Sequence, residues 1–422
     1  MEHIEQRDGP KYGVGAYTVL RCDVTIVSSL DELNCEWKIW GEEFHMDRLS
    51  SSFQTLHTNL FGVTSSEGSG GEGSFYNGGG ITSMSGMGSS VQTQSMYADS
   101  IEETRHVMNM LLEQATKSIC LNSSNNLQYE GNQTLMVTIL WTPSSSGQQS
   151  FIPLVRGHAV FAAASAPQQP QSSNTIDEQQ ESLLPLLPTP ITACLAIPNQ
   201  LTPSALSTLP RRHGMNLNVQ RQVGSSASAK VSSWCRIRRP LEDPNRYKPP
   251  PLDYYHGSVV GEVILVRQPE TERGTNIMTY PNDNFIETLE LLEGLISNLF
   301  VVYTDGSVRT APLGLVLPGY ARHLILQELN ERGMKADSSK PPTIQDMRDG
   351  LWSEVFVTSA IRLVVPVERI IVPAATGAGA VPNVLWEAPN DEYRATKMIQ
   401  SAMYQRGCSL ATVKHIVTST YT

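Results

Sequence analysis

EGLISNLFVVYTDGS, residues 293–307, reads as a buried strand with a carboxylate at its head. The run from Leu299 to Tyr303 is aliphatic, β-branched and aromatic, and Asp305-Gly306 closes it with a turn, which is the pattern of a core strand. Glu293 stands just ahead of that run, where an unpaired charge would be costly to bury. Two further segments share the anomaly. LPGYAR (317–322) places a Pro-Gly pair at the mouth of a helix, and EVFVTSAIRLVVPV (354–367) is an apolar strand broken by Thr358-Ser359. A helix start offers unpaired amides to an anion. An acid and two groups of backbone amides brought to one place imply a bound cofactor that carries both a cationic ring and a phosphate.

Outward from these segments, VILV (263–266) and RLVVPV (362–367) have the same buried-strand character. Helices are expected over 319–332 and 343–352, the second opened by Thr343 and Asp346. Together they predict a larger mixed domain over 229–422. Residues 1–163 predict a smaller α+β domain, with TVLRCDVTIV (18–27), LMVTILW (135–141) and FIPLVRGHAVF (151–161) as strands and 100–119 as a helix. In that helix Ser100 and Glu103 form a capping-box pattern, and Ile101, Met108, Leu111, Leu112, Ala115 and Ile119 share one face. Two low-complexity stretches interrupt the chain. Residues 64–98 are dominated by Gly and Ser and read as a surface insertion; they lack the Gly-Lys-Ser/Thr ending of a phosphate-binding loop. Residues 164–228, rich in Pro, Gln and Ser, read as an interdomain linker whose middle, LLPLLPTPITACLAIP (183–198), is extended or irregular because prolines break it.

Composition narrows the function classes. The 422 residues carry 31 Lys and Arg against 41 Asp and Glu, a net charge of −10, which argues against nucleic acid or an anionic membrane as partner. The six cysteines are scattered with no ligand-like spacing, so neither a metal site nor a disulfide framework is expected. The N-terminal MEHIEQRDGPKYG is charged, so no signal peptide is expected, and no apolar run is long enough to span a bilayer. A cytoplasmic location follows as an expectation.

At both ends the chain resembles the class IV aminotransferases, the fold type IV pyridoxal-phosphate enzymes. GAYTVLR (15–21) followed by FHMDRLSSSF (44–53) is similar to the family's first strand and its His-x-x-Arg-Leu helix. AKVSSW (229–234) is similar to the segment that carries its Schiff-base lysine, and the three segments first quoted are similar to its Glu…Asn-Leu-Phe, Pro-Gly-x-x-Arg and Glu-x-Phe…Pro-Val motifs. The resemblance implies an α+β, two-domain architecture, with a small N-terminal α/β sandwich and a larger β-barrel-like C-terminal domain. It implies a homodimer that binds pyridoxal 5'-phosphate and acts on an amino acid and a 2-oxo acid.

Residue by residue, the resemblance makes Lys230 the amine that holds the cofactor's aldehyde as an imine and shuttles protons, and Glu293 the acid beside the pyridine nitrogen. Arg48 becomes the phosphate cation, with the amides of Tyr320, Ala321, Ser359 and Ala360 around the phosphate. Several positions depart from the family. Trp234 and Cys235 stand where a tyrosine contacts the ring's phenolic oxygen, and Ala321 and Ala360 stand where threonines donate to the phosphate. The 63 positions from Lys230 to Glu293 exceed the family's usual spacing, with extra sequence at 243–259 and 268–287. Amino-group transfer, an aminodeoxychorismate lyase-like elimination and a non-catalytic scaffold are the readings this sequence carries.

Overall fold

The first long strand, β1 (Ala16–Ser28), alternates its side chains between two different partners, and that alternation organises the molecule. Ala16, Leu20, Cys22 and Val24 point to one face and enter a helix-packed core, while Tyr17 and Val19 point to the other, where they meet Cys235 and Ile361. The computed structural model describes residues 15–28, 32–61, 91–123, 133–143, 151–160, 187–196, 229–232, 234–235, 238, 260–267, 287–372 and 383–419. The extra sequence at 243–259, and nearly all of that at 268–287, lies outside the described residues, as does most of the two low-complexity stretches.

Around β1 an antiparallel five-stranded sheet assembles in the order β14-β2-β1-β3-β4 from β2 (Glu32–Ile39), β3 (Gln133–Pro143), β4 (Phe151–Val160) and β14 (Thr412–Ser419). Helices α1 (Glu42–Phe61) and α2 (Val91–Ser123) cover its inner face through Met46, Leu49, Phe53, Met108 and Leu112. The indoles of Trp37 and Trp141, both fully buried, each donate to a threonine hydroxyl on α2, Thr116 and Thr104, at 2.9 Å. Fully buried indole N–H groups need such partners. The helix starts at Val91, inside the stretch 64–98 expected as an insertion, so Ser100 is internal: its carbonyl accepts the Thr104 hydroxyl at 2.6 Å, and the capping-box reading is corrected.

The second sheet closes on itself. Strands β8 (Asn298–Tyr303), β11 (Trp352–Ser359), β12 (Leu363–Val372), β5 (Ile191–Ala196), β6 (Val260–Arg267) and β7 (Glu290–Gly294) neighbour one another in that order, and β7 pairs back to β8 through Glu293 and Asn298. This is a six-stranded barrel, extended by β9 (Val308–Arg309), β10 (Ala336–Asp337) and β13 (Asn383–Glu387). Leu299, Val301, Val355, Val357, Val365 and Ile264 belong to its main core. The opposite faces of β8, β11 and β12 pack through Phe300, Phe356 and Val364 against α3 (Tyr320–Glu331) and α5 (Arg394–Ser409), a sheet covered on both sides and therefore apolar on both. The short helix α4 (Ile344–Arg348) begins at Thr343, whose hydroxyl accepts the Asp346 amide, and ends four residues before the expected 352.

The expected α+β architecture of a sheet-and-helix domain with a barrel domain is what the chain forms. Two segments fall elsewhere than expected. Ile191–Ala196, placed by sequence in the linker, is barrel strand β5, parallel to both β6 and β12. The prolines that argued for irregularity lie on either side of it, three up to Pro190 and one at Pro198, and the six residues from Ile191 to Ala196 contain none and are free to pair. The C-terminal β14, placed by sequence in the large domain, covers the edge of β2 in the small sheet.

Gly41, between β2 and α1, has φ +62, and the Tyr320 ring at the start of α3 occupies the space a β-carbon would take. Gly41→Ala therefore combines left-handed strain with overpacking and is expected to destabilise the protein by about 1–3 kcal/mol, read as a lower urea midpoint at unchanged m-value.

Candidate active site

Residues 229–232 are threaded between the two sheets. The Lys230 carbonyl accepts the Tyr17 amide at 2.9 Å, the Ser232 amide donates to the Gly15 carbonyl at 2.7 Å, and the Lys230 amide donates to the Ser52 hydroxyl at 3.0 Å. The backbone of Lys230 is thus fixed to β1 and α1, and its Nζ lies 5.1 Å from the centroid of the Tyr17 ring. Trp234 then anchors the segment to the barrel by donating to the Leu295 carbonyl at 2.9 Å. Its neighbour Cys235 packs with Tyr17 and Val19.

Along α1, His45, Arg48 and Ser52 form a polar stripe beside the apolar Met46, Leu49 and Phe53, and all three polar side chains are buried. Arg48 crosses from the small domain to the large one. Its Nη1 donates to the Pro318 carbonyl at 3.1 Å, and its Nη2 donates to the Thr18 hydroxyl at 2.8 Å and lies 3.0 Å from His45 Nδ1. The Thr18 hydroxyl is 2.8 Å from the same Nδ1. Both neighbours can donate to Nδ1, which places the imidazole proton on Nε2. Burial, with Arg48 and Lys230 nearby, pushes His45 well below the ordinary histidine range, so it is neutral.

Glu293 is 3% exposed, and its carboxylate accepts the Leu317 amide at 2.9 Å and the Asn298 side-chain amide at 3.3 Å. Asn298 is held in turn by the Leu317 carbonyl at 2.9 Å. Two residues on, Gly319 stands just ahead of α3, and no side chain caps the helix's first amides, which include those of Tyr320 and Ala321. The β11–β12 turn completes the wall. Ser359 spends its hydroxyl locally, accepting the Arg362 amide at 3.1 Å, and Ala360 follows it.

Arg48, Lys230, Glu293, Tyr320, Ala321, Ser359 and Ala360 all line a single cavity of about 360 Å³. Thr358 and Asn298, which sequence reasoning quoted without giving them a site role, line it too, as do Arg238 and Arg362, which it did not single out. Thr358 is the informative one. It is 1% exposed, and its hydroxyl has no hydrogen-bond partner although it borders the cavity that Arg48 and the start of α3 share. A buried hydroxyl left this way costs about 1–3 kcal/mol, and an anion bound there would satisfy it. The interruption of an apolar strand at Thr358-Ser359 was the signal that could have found it. Thr358, Arg48 and the uncapped amides fit a phosphate, and the Glu293 carboxylate fits a protonated pyridine nitrogen.

Among the described residues no cluster of His, Cys, Asp and Glu could hold a metal, and no helix is long and apolar enough to cross a membrane. Residues 267–370 match the family described as amino-transferase class IV. No curated protein is similar to the chain at a significant level. Solved structures similar to it include a fold IV-transaminase from Curtobacterium pusillum (14% identity, 92% of this chain and 85% of that one, TM-score 0.43). Others are the branched-chain amino acid aminotransferase from Escherichia coli (14% identity, 93% and 84%, TM-score 0.42) and a PLP-bound hypothetical aminotransferase from Mycobacterium tuberculosis (12% identity, 92% and 88%, TM-score 0.44).

The neutral His45 makes stability depend on pH. In the unfolded chain a histidine protonates below about 6.5, whereas the folded ring resists, so the unfolded state binds more protons and stability falls as pH drops, by up to about 1.4 kcal/mol per unit. His323, also lowered by burial, acts with the same sign. The urea midpoint is expected to fall from pH 7 to pH 5, and His45→Gln to flatten that dependence in part.

Proposed function

We propose that this divergent member of the class IV aminotransferase family binds pyridoxal 5'-phosphate in the cavity between its two sheets and transfers an amino group between an amino acid and a 2-oxo acid. The observation that carries the reading is the convergence of an amine, an acid, a guanidinium and an uncapped helix start, from four separate segments, on one cavity. When bound, the cofactor supplies an electron sink for the substrate's α-carbon.

The chain's own groups do the rest. The Lys230 amine, positioned by its backbone bonds to Tyr17 and Ser52, takes and returns the proton at the substrate's α-carbon. Glu293 keeps a proton on the ring nitrogen, and the Leu317 amide and the Asn298 side chain stabilise its ionised form and fix its direction. Arg48, the Thr358 hydroxyl and the amides of Tyr320 and Ala321 hold the phosphate, with the amides of Ser359 and Ala360 on the other side. Thr358 takes over the donor role that the alanines at 321 and 360 cannot fill. The cavity's walls, Trp234 and Tyr17 among them, keep water from the reacting carbon.

Purified protein supplied with pyridoxal phosphate is expected to show a visible absorbance band that borohydride fixes and that amino acids shift. Lys230→Ala is expected to remove the band and lower turnover by about 10²–10⁴-fold. A protein that takes up no cofactor would end the enzyme reading in favour of a scaffold, and pyruvate release without an acceptor would move it to the lyase. Thr358→Val, which keeps shape and removes the donor, is expected to weaken cofactor binding by about 0.5–1.5 kcal/mol, read by equilibrium dialysis.

A further inference from the structure

One charged pair beside the cavity has no part in holding the cofactor. Glu262, on β6, is 5% exposed, and four donors reach its carboxylate. Oε1 accepts the Val263 and Leu295 amides at 3.1 and 3.2 Å, while Oε2 accepts the Ser297 hydroxyl at 2.7 Å and Arg362 Nη2 at 3.1 Å. The fold makes room for this group at Gly294, where a β-carbon would collide with the Glu262 carboxyl and the Ser297 hydroxyl. Burying a carboxylate so thoroughly is unfavourable without a paired cation, and removing either partner strands the other.

The partner, Arg362, is placed differently. It closes the β11–β12 turn next to Ala360 and Ile361, its side chain is 33% exposed, and it lines the cavity. Its amide is held by Ser359, and Nη1 lies 3.4 Å from the Gly261 carbonyl. The result is a guanidinium tethered on its buried side by Glu262, on the wall of a cavity to which Val19, Met136 and Ile296 also contribute apolar surface. A guanidinium whose direction is set beforehand loses little freedom on binding a carboxylate, and its planar fork matches that group.

We propose that Arg362, held in direction by Glu262, is the residue that reads a carboxylate of the substrate and so makes the cavity select amino acids over plain amines. This rests on the reading of the cavity as a site of amino-group transfer. Glu262 acts through Arg362 and is a positioning residue. Arg238, a further cation on the cavity wall, lies in the segment that follows Lys230 and adds to the attraction for an anionic substrate.

The test compares the cofactor-loaded protein with Arg362→Lys and with the double variant Glu262→Gln/Arg362→Leu, which removes the cation without leaving a buried charge. Half-reaction rates are followed for alanine, glutamate, 4-aminobutyrate and isopropylamine. The proposal expects KM for the carboxylate-bearing donors to rise by about tenfold or more with kcat little changed, and isopropylamine to be unaffected. Loss confined to alanine and glutamate assigns Arg362 to the α-carboxylate, and loss for glutamate and 4-aminobutyrate alone assigns it to a distal one; either result upholds the proposal. An unchanged KM in the double variant, or a parallel loss for isopropylamine, overturns it and leaves Arg362 as no more than the counter-charge of Glu262. Calorimetric titration with 2-oxoglutarate reads the same contact without turnover. Binding that is present in the parent and lost in the double variant supports Arg362 even if no donor reacts, in which case it is the transferase reading that fails. Equal affinity in both, or none in the parent, overturns the assignment of Arg362.

Discussion

The bridge between Glu293 and Asn298 closes the barrel, and the Asn298 side chain also holds the Glu293 carboxylate at the cavity. A barrel has no free edge only while its last pair is in register, so the position of Glu293 is fixed by the whole ring of strands. The Leu317 amide, which donates to that carboxylate, lies just ahead of the Pro318 and Gly319 that open α3. Closure of the sheet, direction of the acid and presentation of the α3 amides are consequently one geometric event. Arg48 joins the small domain to it by donating to the Pro318 carbonyl, so the cation and the amides meet at a single turn.

Several buried polar groups meet at this junction. Thr18, His45, Arg48, Ser52, Glu293, Asn298 and Thr358 are all nearly inaccessible. Packing alone would not place such groups there, because each has a desolvation cost that an aliphatic side chain avoids. Local rules are broken here, as expected where a binding requirement competes with stability.

Much of this was legible in the sequence because the informative residues are anomalies in otherwise regular patterns. Glu293 before an apolar strand, Pro-Gly before a helix and Thr358-Ser359 inside a strand each mark a wall of the cavity. Lys230 and Arg48 came from resemblance, since a lysine in AKVSSW and an arginine on a helix have no local signature of their own. Thr358 was noticed as a break in an apolar strand, but the contact expected there was the Ser359 amide; that the Thr358 hydroxyl is left without a partner beside the cavity follows from packing the sequence does not give. Glu262 could not have been found, because its meaning depends on Arg362, a hundred residues away in sequence. Strand β5 was missed for a related reason. Six residues among prolines identify a strand only once the two parallel neighbours are known, and those come much later in the chain.

That placement of β5 bears on how the molecule is made. During synthesis β5 emerges well before β6 and long before β12, yet it pairs with both, and β2 waits for β14 near residue 412 to cover its edge. Neither sheet can be completed by a nascent chain that stops before its last elements. Until then two strands present unpaired backbone, the condition under which chains pair with one another instead of with themselves. Long excursions between paired strands add little to the equilibrium cost, since closure entropy grows only with the logarithm of loop length, but they delay the contacts that reward it. The topology therefore ties completion of the barrel to the arrival of β12 and completion of the small sheet to the arrival of β14.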